Sequence, residues 1–130
     1  MTASVSTLSG NQNKPTGPEF SFEFFPAKTP RMERNLWRTM GQLELLNPAY
    51  FSMTYGALGS EREHSLNMVS SMVKEGHVPV AAHLTAAGHT RDSLLELVRH
   101  FHNEGVQRLV ALRGDAELIE GGMTDVAVMV

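Results

Sequence analysis

The residues able to do chemistry in this chain recur at comparable places along it. Glu23 sits inside SFEFFP (21–26), Thr54, Tyr55, Gly56 and Ala57 close SMTYGA, His83 and Thr85 lie in AHLT, and Arg113, Gly114 and Asp115 close VALRGD. Each group ends or follows an apolar stretch. A carboxyl group, hydroxyls, an imidazole and a guanidinium beside a second carboxylate can together bind a polar small molecule and move a proton. Singly, each has an ordinary explanation. Glu23 reads as an outward residue on a half-exposed strand, His83 as a hydrogen-bonded core histidine, residues 54–57 as a strand end with a glycine turn, and 113–115 as a surface turn. The recurrence of all four carries more weight than any one of them.

Four strand-like stretches must hold these groups, with helices between them. In FSFEFFP, alternation puts Phe22, Phe24 and Pro26 on one face and Glu23 with Phe25 on the other. A helix follows, with Thr29 as N-cap, Pro30 at its first position, an apolar face of Met32, Leu36, Met40 and Leu43, and a stop at Asn47-Pro48. AYFSMTYG is the second strand. The next helix turns Leu66, Val69 and Val73 inward and stops at Gly76, and VPVAAHLT is the third strand. A third helix carries Leu94, Leu97, Val98 and Phe101 on one stripe, and after Gly105 comes VQRLVALRGD as the fourth strand. The strand ends are about 30 residues apart, the length of one βα unit, which predicts parallel strands with right-handed crossovers. An open doubly wound sheet and part of a closed (β/α) barrel both satisfy this order, and both put functional residues at the carboxyl ends of the strands.

Composition narrows the partners. The chain has 130 residues, 42% of them hydrophobic, with 11 Lys+Arg against 14 Asp+Glu for a formal net charge of -3. That suits one domain with a real core, and no basic block tracks a phosphate backbone, so nucleic acid is not an expected partner. There is no cysteine, which removes disulfides and thiolate chemistry. His64, His77, His83, His89, His100 and His102 show no paired metal spacing, so no metal is expected. The methionines on the helices read as core filler. Residues 1–18 are expected to be a flexible leader and 19–130 the folded unit. No apolar run has the ~20 residues of a membrane helix, and the expected setting is cytoplasmic.

SFEFFPAKT, SMTYGA, AHLT and VALRGD, in this order, resemble the methylenetetrahydrofolate reductase family over about residues 20–115. The resemblance implies an α/β fold, a partial (β/α)8 TIM barrel of about four to five βα units. It also implies FAD, NADH or NADPH as hydride donor, and reduction of 5,10-methylenetetrahydrofolate to 5-methyltetrahydrofolate for methionine synthesis. Glu23 then matches the acid that protonates the folate N10, and its phenylalanine neighbours are expected to desolvate it and favour its proton-holding form. Thr54 matches a residue near nicotinamide and flavin, while Tyr55, Ala57, His83, Leu112, Arg113 and Gly114 match FAD contacts. Asp115 matches a carboxylate beside flavin and folate.

A full barrel takes about 250 residues, whereas only AELIEGGMTDVAVMV follows Asp115. TDVAVMV is expected to begin a fifth strand, and the chain looks truncated. Half a barrel should expose apolar side chains meant to meet across its centre, giving a self-associating chain. A non-catalytic half-barrel binding module is the alternative to an enzyme.

Overall fold

The computed structural model describes residues 16–55 and 59–114. Four strands, β1 (Ser21–Phe24), β2 (Tyr50–Met53), β3 (Val80–Thr85) and β4 (Arg108–Leu112), alternate with three helices, α1 (Pro30–Glu44), α2 (Gly59–Glu75) and α3 (Arg91–Glu104). All three strand pairs are parallel and the spatial order is β1-β2-β3-β4. Gly56, Ala57, Asp115 and the anticipated fifth strand lie outside the described residues.

Local chemistry explains the helix ends. The Thr29 hydroxyl accepts from the Met32 amide at 3.2 Å, and Pro30 at the first helical position loses a hydrogen bond the helix would not have made. α3 begins with a reciprocal capping box between Thr90 and Ser93 and ends at Gly105, whose φ of 96° is the left-handed conformation glycine adopts without a Cβ penalty. Gly76 stops α2 for a different reason. It is not left-handed, but a Cβ there would lie 2.5 Å from the Met72 carbonyl oxygen. α1 ends at Glu44, ahead of the anticipated Asn47-Pro48 stop, and Asn47 turns the chain with φ 53°.

One face of the sheet packs on all three helices. Phe24, Phe51, Met53, Val80, Ala82 and Leu84 join Met40 of α1, Met68, Val69 and Met72 of α2, and Leu94, Leu97 and Phe101 of α3 in a single core. The methionines Met40, Met68 and Met72 are therefore core filler, as expected. Two details of the anticipated helix faces change. Met32 is exposed, and the depth of the α2 contact falls on Met68 and Met72 with Leu66 and Val73 only partly buried.

The sequential strand order, with every helix contributing to the core on one face, has no reversal of the kind that defines a doubly wound sheet. This is a singly wound strip. The opposite face overturns the expectation that apolar strand residues point away from the helices. Paired residues on neighbouring strands share a face, so the register puts Glu23, Ser52, Ala81 and Arg108 together, with Tyr50 and His83 two positions along on the same side. On β1 to β3 the large apolar residues have gone to the helices and the other face is mostly small and polar, while β4 sets Val110 and Leu112 on that face beside His83 and Thr85. The apolar ground for self-association across β1 to β3 on that face is reduced. Leu109 and Leu112 remain exposed on β4.

Candidate active site

Two side-chain bridges cross the polar face, and each skips a strand. His83 Nε2 on β3 lies 3.1 Å from Glu23 Oε1 on β1, although β2 runs between them. Strands two apart are separated by roughly 9.5 Å, so both side chains must lean across whatever β2 places in the gap. That residue is Ser52, paired directly with Glu23 and 4% exposed. In the same way the Arg108 guanidinium of β4 lies 5.4 Å from the ring centre of Tyr50 on β2, over β3, where the residue paired with Arg108 is the fully buried Ala81. Small residues on the middle strand make both bridges sterically open. Sequence reasoning singled out neither Ser52 nor Ala81, because their importance depends on register.

The bridged pair is asymmetric. The His83 side chain is 6% exposed and that of Glu23 is 52% exposed. Burial pushes the His83 pKa below that of an ordinary histidine, and the Glu23 charge pulls it part of the way back. A mostly neutral imidazole can donate Nε2–H to a carboxylate or accept a proton from a carboxylic acid. The pair can therefore hold one proton at either end, with the carboxyl end open to a ligand. The expected enclosure of Glu23 by phenylalanines is not found. Phe22 and Phe24 point to the helix side, where Phe24 meets Phe51 edge-on at 5.1 Å, and Phe25 is 73% exposed.

The remaining anticipated residues gather at the carboxyl ends of the strands. The Thr54 amide donates to the Phe24 carbonyl at 2.9 Å, prolonging the β1–β2 pairing, so Thr54 stands just past Ser52. Thr85 pairs with Leu112, and beyond them Ala86 and Ala87 donate to the carbonyls of Leu112 and Arg113 at 2.8 and 2.9 Å. Gly114 closes this seam. Its φ is 86°, and a Cβ would lie 2.5 Å from Thr85 Cγ2 and 2.6 Å from Ala87 Cβ. Glycine is thus required here on two independent counts.

Tyr55 faces a second cluster. Its hydroxyl lies 3.0 Å from His89 Nε2, and the Arg62 guanidinium sits 5.7 Å from its ring centre. Burial raises the Tyr55 pKa, opposed by the charge and hydrogen bonding of Arg62. His89 and Arg62 were missed as partners of Tyr55, since nothing in their spacing from it announces contact.

The structure thus brings together Glu23, His83 and Thr54 on one face and seats Leu112, Arg113 and Gly114 against the end of β3, while Tyr55 turns toward His89. Among the described residues, no group of three His, Cys, Asp or Glu side chains could hold a metal ion, and no helix is long and apolar enough to cross a membrane.

The family model for methylenetetrahydrofolate reductase matches residues 10–125. Among similar proteins, the 5,10-methylenetetrahydrofolate reductase of Buchnera aphidicola is 45% identical over 95 residues, covering 73% of this chain and 32% of that protein. The Escherichia coli enzyme of the same name is 39% identical over 95 residues, with the same coverage. Methylenetetrahydrofolate reductase (NADH) 1 of Arabidopsis thaliana is 34% identical over 96 residues, 74% of this chain and 16% of that protein. The chain spans about a third of the length of the bacterial relatives it matches. With the family model covering nearly all of the chain, including all four strand-end motifs, the chain belongs to the methylenetetrahydrofolate reductase family.

Proposed function

We propose that this chain forms the first part of a (β/α)8 barrel that reduces 5,10-methylenetetrahydrofolate to 5-methyltetrahydrofolate with a flavin and NAD(P)H. The observation that carries the reading is the Glu23–His83 pair, a half-exposed carboxyl group with a buried, mostly neutral base 3.1 Å behind it. Opening the methylene bridge of the substrate requires a proton at N10, and Glu23 supplies it, leaving an iminium ready to accept hydride. His83 holds the carboxyl group in place through its Nε2, and as a neutral imidazole it can donate Nε2–H to the carboxylate that remains once the proton has gone to N10. A bound FAD would supply the hydride it takes from NADH or NADPH.

The residues present suit such a cofactor. Leu112 offers exposed apolar surface to a ring system, and the exposed Arg113 guanidinium suits a phosphate. Thr54, Tyr55, His83 and Gly114 complete the part of the flavin site within the described residues. Ala57 and Asp115 are proposed to add to it, Asp115 also contacting folate. The family membership and the singly wound strip support the reading.

The test is a hybrid in which this chain replaces the matching 95 residues of the Escherichia coli relative. It should bind FAD and reduce methylenetetrahydrofolate. Glu23→Gln in the hybrid should leave flavin reduction by the nicotinamide cofactor nearly intact and suppress the folate half-reaction. Equal loss in both half-reactions would make Glu23 structural and remove the proposed acid.

A further inference from the structure

His89 is 7% exposed, and both of its ring nitrogens are engaged. Nε2 lies 3.0 Å from the Tyr55 hydroxyl and Nδ1 lies 3.0 Å from Ser93 Oγ. Ser93 Oγ is itself 3.0 Å from the Thr90 amide nitrogen and 3.0 Å from the Thr90 carbonyl oxygen. An amide nitrogen only donates and a carbonyl oxygen only accepts, so the arrangement that satisfies every contact is determined. The Ser93 proton goes to Thr90 O, and Ser93 Oγ accepts from Thr90 N–H. His89 Nδ1 must then donate its proton to the serine oxygen, which leaves Nε2 as a lone pair.

From this geometry we infer that His89 is a positioning residue which captures the Tyr55 hydroxyl proton, so that Tyr55 meets the bound ligand only as a hydrogen-bond acceptor. Arg62, whose guanidinium lies 5.7 Å from the ring centre, also constrains the phenol. A guanidinium cannot accept, so any hydrogen bond between it and the tyrosine oxygen uses a lone pair of that oxygen. The same capping box that starts α3 thereby sets the proton of a residue just past β2. Burial, with the Arg62 charge in second place, lowers the His89 pKa, in keeping with a neutral imidazole whose Nε2 accepts. What Tyr55 selects on a ligand is a donor, such as the hydroxyl of a polyol or sugar, and not a phosphate or carbonyl oxygen. This rests on the proposal that Tyr55 contacts FAD, whose ribityl and ribose hydroxyls are donors of that class.

Two measurements on the 130-residue chain test it. Long-range proton–nitrogen NMR correlation reads the His89 tautomer directly. The Nδ1–H form is expected, with its Nε2 resonance moving in Tyr55→Phe. An Nε2–H form, or an Nε2 resonance indifferent to that substitution, overturns the inference. FAD titration of variants is the second measurement. His89→Gln keeps a carbonyl acceptor near the Nε2 position and should bind within about twofold of the parent, whereas His89→Leu should bind about threefold to tenfold more weakly, the worth of one hydrogen bond. Equal binding by the leucine variant, with a matching thermal melt, overturns the positioning role. A parent chain that shows the Nδ1–H tautomer and its tyrosine response but binds no FAD supports the proton placement and counts against the flavin reading instead.

Discussion

The two faces of this one sheet follow opposite rules. Toward the helices, Phe24, Phe51, Met53, Val80 and Leu84 are large, apolar and buried. Away from them, Glu23, Ser52, Ala81, His83 and Arg108 are polar or small and are linked by contacts that skip a strand. Burial of apolar area stabilises the first face in proportion to side-chain size. On the second face size is harmful wherever a bridge must pass. The lesson is that in a singly wound sheet the stability and the chemistry of neighbouring residues on one strand are carried by different neighbours.

The comparison breaks most visibly at Leu84, 1% exposed, beside His83 on β3. Leu84→Ala should cost about 2–5 kcal/mol in urea unfolding, while Glu23→Ala across the sheet should cost less than about 1 kcal/mol. Comparable losses would mean the faces are not distinct. Next is Gly114→Ala, which forces a left-handed residue against Thr85 and Ala87 and should cost roughly 1–3 kcal/mol. A neutral result in the same unfolding measurement would remove the close packing of β4 onto the loop after β3.

Acid should separate the faces more gently. His83 and His89 have pKa values lowered chiefly by burial, so the folded chain binds fewer protons than the unfolded one below the unfolded value of about 6.5. Their contribution to stability is complete above that value and is lost as pH falls through the lowered folded values. Urea midpoints should therefore drop as pH falls below about 6.5, and Glu23→Gln should lower the His83 titration seen by NMR, since the carboxylate charge is what raises it. A His83 titration that moves up in that variant contradicts the bridge. The smallest effect is the bridge itself, whose double-mutant coupling should stay within about 1 kcal/mol because Glu23 is half exposed. Ser52→Leu should abolish that coupling by filling the gap, and a coupling that survives would mean the side chains take another path.

Much of this was legible in the sequence. Alternating strands and helices, the Thr29 cap, the glycine stops and the strand-end positions of the polar residues follow from spacing and from backbone chemistry alone. Alternation also separated Glu23 from Phe22 and Phe24. What it does not supply is which face the helices take, so phenylalanines that look like a wall around the acid turn out otherwise: Phe22 and Phe24 pack with the core on the other side and Phe25 is exposed. Ser52, Ala81 and His89 were illegible for a related reason. Their roles arise from register and from a loop-to-loop contact across 34 positions of sequence, and neither is encoded in local pattern.

Ser52 has a consequence reaching past mechanics. Positions 23, 52 and 83 lie on three different strands, yet a bulky change at the middle one removes whatever the outer two do together. Inherited variation at these three codons should therefore behave as a single unit. A lineage that enlarges residue 52 frees its acid and its histidine to drift, and one that keeps it small holds both in place.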